Sequence, residues 1–138
     1  MITQLPPMRC RDKQGAGYYG ASRGSRTHVG VDFVLNAGDD VCSFNEGTVT
    51  KLGYPYANHP EFRYVEVTDR NGYRCRYFYC DPAVFRGDVI HVGTVLGASQ
   101  DLRALYSGIT PHLHFEVMKM NGGQKQFFDP IKYLAGDL

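Results

Sequence analysis

Alternating apolar and polar residues in short runs, broken by turn residues, predict a mainly β protein: an antiparallel sheet in a single domain. Three observations carry that expectation. Sixteen Gly and seven Pro supply many turns. Asn71-Gly72 between two alternating runs is a strong hairpin signal. No window of 12 or more residues shows a convincing 3.6-residue repeat. The 138 residues fit one domain, 1–138, and 43% hydrophobic content is enough for a core.

In order, residues 1–27 are expected as loop, rich in Gly, Ser and Arg. HVGVDFVL (28–35) alternates around Gly30 and is expected as a strand. GTVTKL (47–52) follows the turn-forming FNEG, and FRYVEV (62–67) and YRCRYFYC (73–80) flank the hairpin. HVGTVLG (91–97) and HLHFEVMK (112–119) complete the strands, and DPIKYL near the end is expected to make one helical turn.

The bulk numbers narrow the function. A net charge of +1 with no Lys/Arg run points away from nucleic acid, and apolar runs of only a few residues point away from membrane insertion. The opening MITQLPPMRCRDK has no basic segment followed by an apolar one, so no signal peptide is expected. Synthesis in the cytoplasm follows, with release needed before any work outside the membrane. Cys10, Cys42, Cys75 and Cys80 form no CxxC and are expected as free thiols.

Chemistry is concentrated in the histidines. His112 and His114 are two apart on an expected strand and so share a face. His28 and Asp32, four apart with Gly30 between them, offer an imidazole and a carboxylate. Gly30 removes bulk and lets the chain bend. HxGxD and HxH together offer three zinc ligands and one spare imidazole, as a catalytic zinc needs. No H-E-x-x-H helix is present, Glu116 is not assigned as a base, and no G-x-S-x-G nucleophile elbow is expected.

HVGVD and HLHFEV resemble the two signature motifs of the M23 zinc metallopeptidases, the lysostaphin/LytM-type group. GDVIHVGTVLG and FDPIKYL resemble that family's later segments, so that residues 18–134 follow it in order. The stretches GYYGASRGSRTHVGVDF and LYSGITPHLHFE also resemble the leukocyte cell-derived chemotaxin branch of the same fold, which acts by binding partners. The resemblance implies the LytM/M23 peptidase fold (duplicated hybrid motif-like). It implies a zinc endopeptidase that hydrolyses peptide cross-links of bacterial peptidoglycan. The small size, the missing signal peptide and the lack of an attached wall-binding domain suggest a phage-type lysis enzyme acting on the wall, expected as a monomer. The alternative is a catalytically silent zinc-binding module. By the resemblance, His28, Asp32 and His114 ligate zinc and His112 is catalytic. The family's further histidine, in Tyr-x-His, corresponds to Cys80 in Phe78-Tyr79-Cys80. Cys80, Tyr106 and His59 are the auxiliary candidates for the missing donor.

Overall fold

The computed structural model describes residues 17–23 and 26–138. Of the loop expected over residues 1–27, residues 1–16, Cys10 among them, and 24–25 lie outside the described residues, while Ser22–Arg23 and Arg26–Thr27 pair as two short antiparallel strands rather than loop. The strands are β1 (Ser22–Arg23), β2 (Arg26–Thr27), β3 (Val31–Val34), β4 (Asp40–Cys42), β5 (Gly47–Gly53), β6 (Tyr64–Thr68), β7 (Arg74–Phe78), β8 (Cys80–Pro82), β9 (Val89–Ile90), β10 (Val95–Ser99), β11 (His112–Asn121) and β12 (Gln124–Phe128), followed by one helix, α1 (Pro130–Ala135). At six residues α1 is far too short to cross a membrane, and no described helix is long and apolar enough to do so.

The main sheet runs β12-β11-β7-β6-β5-β9, with every pairing antiparallel. β11 is its long central strand. One edge of β11 pairs with β7, while β3 and β12 lie end to end along the other, β3 against His112–Phe115 and β12 against Val117–Asn121. A smaller sheet, β4-β10-β8, covers one side.

Strand alternation divides the residues of the main sheet between two faces. One face carries Val31, Phe33, Val65, Val67, Cys75, Tyr77, Leu113, Phe115 and Val117, all buried, and they pack with Val41 and Leu96 of the smaller sheet into the main core. Tyr77 is fully buried, and its hydroxyl is satisfied by the Phe44 N–H at 2.9 Å and the Asn45 side chain at 2.5 Å. The other face carries Asp32, Glu66, Arg76, Phe78, His112, His114 and Glu116. Burying charge requires partners. Glu66 has them, accepting from Arg76 Nε at 2.7 Å and from Thr50 Oγ1 at 2.7 Å.

The sequence finds the long strands and misses the quiet ones. β12, QKQFF, has no alternation to betray it and is held by its pairing to β11. The strand expected over 91–97 lies at Val95–Ser99 instead, because His91 to Thr94 form a turn closed by the Thr94 N–H to the His91 carbonyl at 3.0 Å. The strand expected over 28–35 begins only at Val31. His28 instead exchanges backbone bonds with Gly20 and Ala21. The helical turn is present. Asp129 caps it through the Ile131 N–H at 3.0 Å, Pro130 opens it, and Gly136 closes it at φ 78°. Cys42, Cys75 and Cys80 are free thiols.

Candidate metal centre

Register places Asp32 directly opposite His114 on β11, with His112 opposite Val34. His28 arrives from the bend before β3. Gly30 makes that approach possible. A Cβ there would stand 2.6 Å from His114 Cε1 and 2.6 Å from the Phe115 carbonyl oxygen, closer than side chains tolerate.

Three ligand atoms converge as a result. His114 Nδ1 lies 2.8 Å from Asp32 Oδ1 and 3.0 Å from His28 Nε2, and His28 Nε2 lies 3.2 Å from Asp32 Oδ1. Adjacent ligands around a tetrahedral zinc with bonds of about 2.0–2.1 Å stand about 3.3 Å apart. The triangle is therefore the right size for that ion once it expands slightly. Among the described residues, His28, Asp32 and His114 form the one His/Cys/Asp/Glu group with metal-holding geometry.

Each imidazole is oriented by its second nitrogen. A carbonyl or carboxylate oxygen only accepts, so the ring nitrogen beside it carries the proton. His28 Nδ1–H donates to the Tyr18 carbonyl at 3.0 Å, which leaves Nε2 as the ligand atom. His114 Nε2–H donates to Glu116 Oε1 at 2.9 Å, which leaves Nδ1. His112 Nδ1–H donates to the Thr110 carbonyl at 2.8 Å, and its Nε2 sits 3.6 Å from Asp32 Oδ2. Such outer partners set both orientation and basicity of metal-ligating imidazoles. Glu116, to which the sequence assigned no role, is the residue that orients His114. Its position two residues after His114 on one strand face is the signal that finds it.

The electrostatics call for a cation. Burial works to raise the Asp32 pKa, but the hydrogen bonds from His114 and His28 and the charges of His114 and His112 outweigh it and hold the carboxyl far below its usual range. Burial likewise opposes protonation of His114, yet its bonds to Asp32 and Glu116 and their charges raise its pKa to about 9. Without a metal, these carboxylates favour the protonated form of His114.

The auxiliary candidates separate. Strand alternation from Phe78 predicts Cys80 on the site face, but the chain turns at Tyr79. That residue has φ 69°, the one positive value among described non-glycine residues. β7 ends before it, and Cys80 starts β8 in the smaller sheet. The Cys80 thiol is fully buried in the core, its pKa pushed up to about 12 by burial and then by the charge of Asp81. It is not part of the site. His59 is half-buried, 3.7 Å from Glu61, and reaches the area only through a ring contact with Tyr56 at 6.4 Å. Tyr106 packs on Tyr56 at 6.1 Å in a second small cluster with Phe62, Leu102 and Ile109.

Tyr79 takes the place that Cys80 vacates. Its ring meets His112 edge-on at 5.4 Å and His114 at 6.5 Å. Its hydroxyl is 2.8 Å from that of Tyr56. Its backbone is pinned on both sides, the N–H to the Arg63 carbonyl at 2.8 Å and the carbonyl to the Gln100 N–H at 2.9 Å. A left-handed conformation costs a bulky residue about 1–3 kcal/mol and persists only where the surroundings over-determine it. Phe78 completes the wall, stacked on Tyr64 at 4.8 Å and edge-on to His114 at 4.9 Å.

A serine nucleophile has no support. The letters GASRG at 20–24 do match G-x-S-x-G, contrary to expectation. That pattern needs a strand-to-helix turn. Ser22–Arg23 instead pairs as a short antiparallel strand with Arg26–Thr27.

Comparison with known proteins agrees with the geometry. The model of peptidase family M23 matches residues 26–130. Leukocyte cell-derived chemotaxin-2 from Mus musculus is 31% identical over 127 residues, covering 92% of this chain and 79% of the relative. Glycyl-glycine endopeptidase ALE-1 from Staphylococcus capitis is 28% identical over 127 residues, covering 88% of this chain but only 33% of the relative. The solved catalytic domain of the antimicrobial peptidase lysostaphin from Staphylococcus simulans superposes with a TM-score of 0.65 at 25% identity, covering 90% of this chain and 91% of that one.

Proposed function

Because this chain belongs to peptidase family M23, we propose that it is a zinc-dependent endopeptidase that hydrolyses peptide cross-links of bacterial peptidoglycan, with a wall-lytic role. The single observation that carries this reading is the triangle of His28 Nε2, Asp32 Oδ1 and His114 Nδ1, with His112 Nε2 3.6 Å from Asp32 Oδ2. His28, Asp32 and His114 would hold the metal. Zinc, when bound, supplies a Lewis acid for the scissile carbonyl and a water whose pKa falls toward about 7. The protein's own groups do the rest. His112 is held by Thr110 with its Nε2 toward the site, where it takes a proton from the attacking water and returns it to the leaving amine. Phe78 and Tyr79 shield the imidazoles on one side. The likeness to a glycyl-glycine endopeptidase supports a peptide bond flanked by small residues as the target.

The test is incubation of the zinc-loaded protein with purified peptidoglycan, reading released peptides by mass. His112→Ala is expected to keep its zinc and lose turnover by about 10²–10⁴-fold. Full activity in that variant would show that the proton passes elsewhere.

A second reading is a zinc-stabilised module that acts by binding a partner. Two observations favour it: the 31% identity to a chemotaxin, and the absence of a histidine at Phe78-Tyr79-Cys80. Bound zinc with no peptide released from any peptidoglycan would select it.

A further inference from the structure

The centre has its ligands and its proton carrier, but a peptidase also needs a donor for the carbonyl oxygen as negative charge builds on it. Cys80, the residue that the family motif offers for this task, is buried in the core away from the site. The group that does stand beside His112 is a phenol, that of Tyr79. Tyr79 lies edge-on to His112 at 5.4 Å, in a backbone conformation unfavourable for its side chain and fixed by Arg63 and Gln100. Backbone strain of this kind clusters at functional positions. Had the chain continued straight, Tyr79 would have pointed into the opposite face of the sheet, as alternation requires. The turn at Tyr79 brings its ring to the histidines and sends Cys80 into the core instead.

We propose that the Tyr79 hydroxyl, braced by Tyr56, donates the hydrogen bond that stabilises the developing oxyanion. The proposal rests on the peptidase reading above and assigns one more catalytic residue to it. A phenol has one proton to give and lone pairs to accept with. The 2.8 Å contact between the two hydroxyls can be made with either as donor; in the catalytic arrangement Tyr56 donates, which turns the Tyr79 proton to the substrate oxygen. Tyr106, packed on Tyr56 at 6.1 Å, holds that ring in place. A phenol stays protonated at neutral pH, so it can donate throughout the working range, which a neutral thiol does only weakly. Hydroxyls in series polarise one another and strengthen the terminal donor.

The decisive variant is Tyr79→Phe, which removes the hydroxyl and keeps the ring. Zinc-loaded wild type and variant are compared in three measurements: zinc content, kcat and KM for peptide release from peptidoglycan, and calorimetric affinity for a phosphinic Gly-Gly analogue in which a tetrahedral phosphinate replaces the scissile amide. Zinc content should be unchanged. kcat should fall about 10²-fold with KM within about twofold, because the bond acts mainly in the transition state. Affinity for the phosphinate should fall at least about tenfold, in parallel with kcat. A variant that matches wild type in both kcat and phosphinate affinity overturns the proposal and leaves the peptidase reading standing. A wild type that releases no peptide overturns the peptidase reading itself, and the proposal with it. If Tyr79→Phe fails to fold, Tyr56→Phe serves instead. It leaves Tyr79 in place without its brace and should lower kcat about tenfold with zinc retained. An unchanged kcat in that variant overturns the proposal too.

Discussion

His114 and Glu116 lie on the same face of β11, and the 2.9 Å bond from His114 Nε2 to Glu116 Oε1 decides which nitrogen of His114 faces His28 and Asp32. Glu116→Gln keeps the shape but loses the charge that makes the imidazole a better ligand. Zinc affinity is expected to fall about 10–100-fold, read by competition with a fluorescent chelator. An affinity equal to wild type would mean that strand geometry alone orients the ring.

Gly30→Ala sets a methyl group against His114 and the Phe115 carbonyl, both at 2.6 Å. The carbonyl belongs to the central strand and cannot move aside cheaply. A loss of about 1–3 kcal/mol of stability by urea titration is expected, together with weaker zinc binding. Unchanged values for both would show that the bend before β3 can open without disturbing the ligands.

Cys80→His does not install the histidine that the family motif leads one to expect. It places an imidazole in a fully buried core position beside Gly97, where a Cβ at Gly97 would already meet Cys80 Sγ at 2.9 Å. Overpacking of this kind costs about 1–3 kcal/mol. Melting temperature should drop and peptide release should not rise. A faster variant would return position 80 to the site. In the native protein the Cys80 thiol, with its pKa near 12, should resist iodoacetamide at pH 8.

In the metal-free protein the ligand residues are expected to titrate together. In the chelated protein the His114 pKa is raised from 6.5 to about 9, so its contribution to stability is complete below pH 6.5 and is lost as pH climbs through 9. Asp32 is shifted downward from 3.8, so its contribution is present above that value and disappears in stronger acid. The melting temperature of the chelated form should therefore fall between pH 6.5 and 9. Added zinc replaces the proton, so the rise in melting temperature on adding zinc should grow over the same interval. A flat chelated profile across that interval would show that His114 and Asp32 are not coupled.

The two motifs were legible because ligand type and strand period are local properties. HxGxD and HxH name His28, Asp32, His112 and His114, and period-two alternation separates a core face through Leu113 and Phe115 from a polar face through His112 and His114. The hairpin at Asn71-Gly72 and the capped turn at Asp129-Pro130 were equally plain, since each depends on a few neighbouring residues. β12 was not, because a polar edge strand carries no alternation and exists only by pairing with β11.

By itself, the sequence determined the β class, the core face and the candidate ligand side chains. Tertiary structure alone decided which nitrogen of each imidazole points inward, that Glu116 supports His114, and that Tyr79 rather than Cys80 stands beside His112. The physical reason is separation along the chain. His114 and Asp32 meet across 82 residues, and their 2.8 Å contact exists only once strand register is set. The reversal at Tyr79 likewise depends on distant partners, the backbones of Arg63 and Gln100, and no local preference of Phe78-Tyr79-Cys80 announces it.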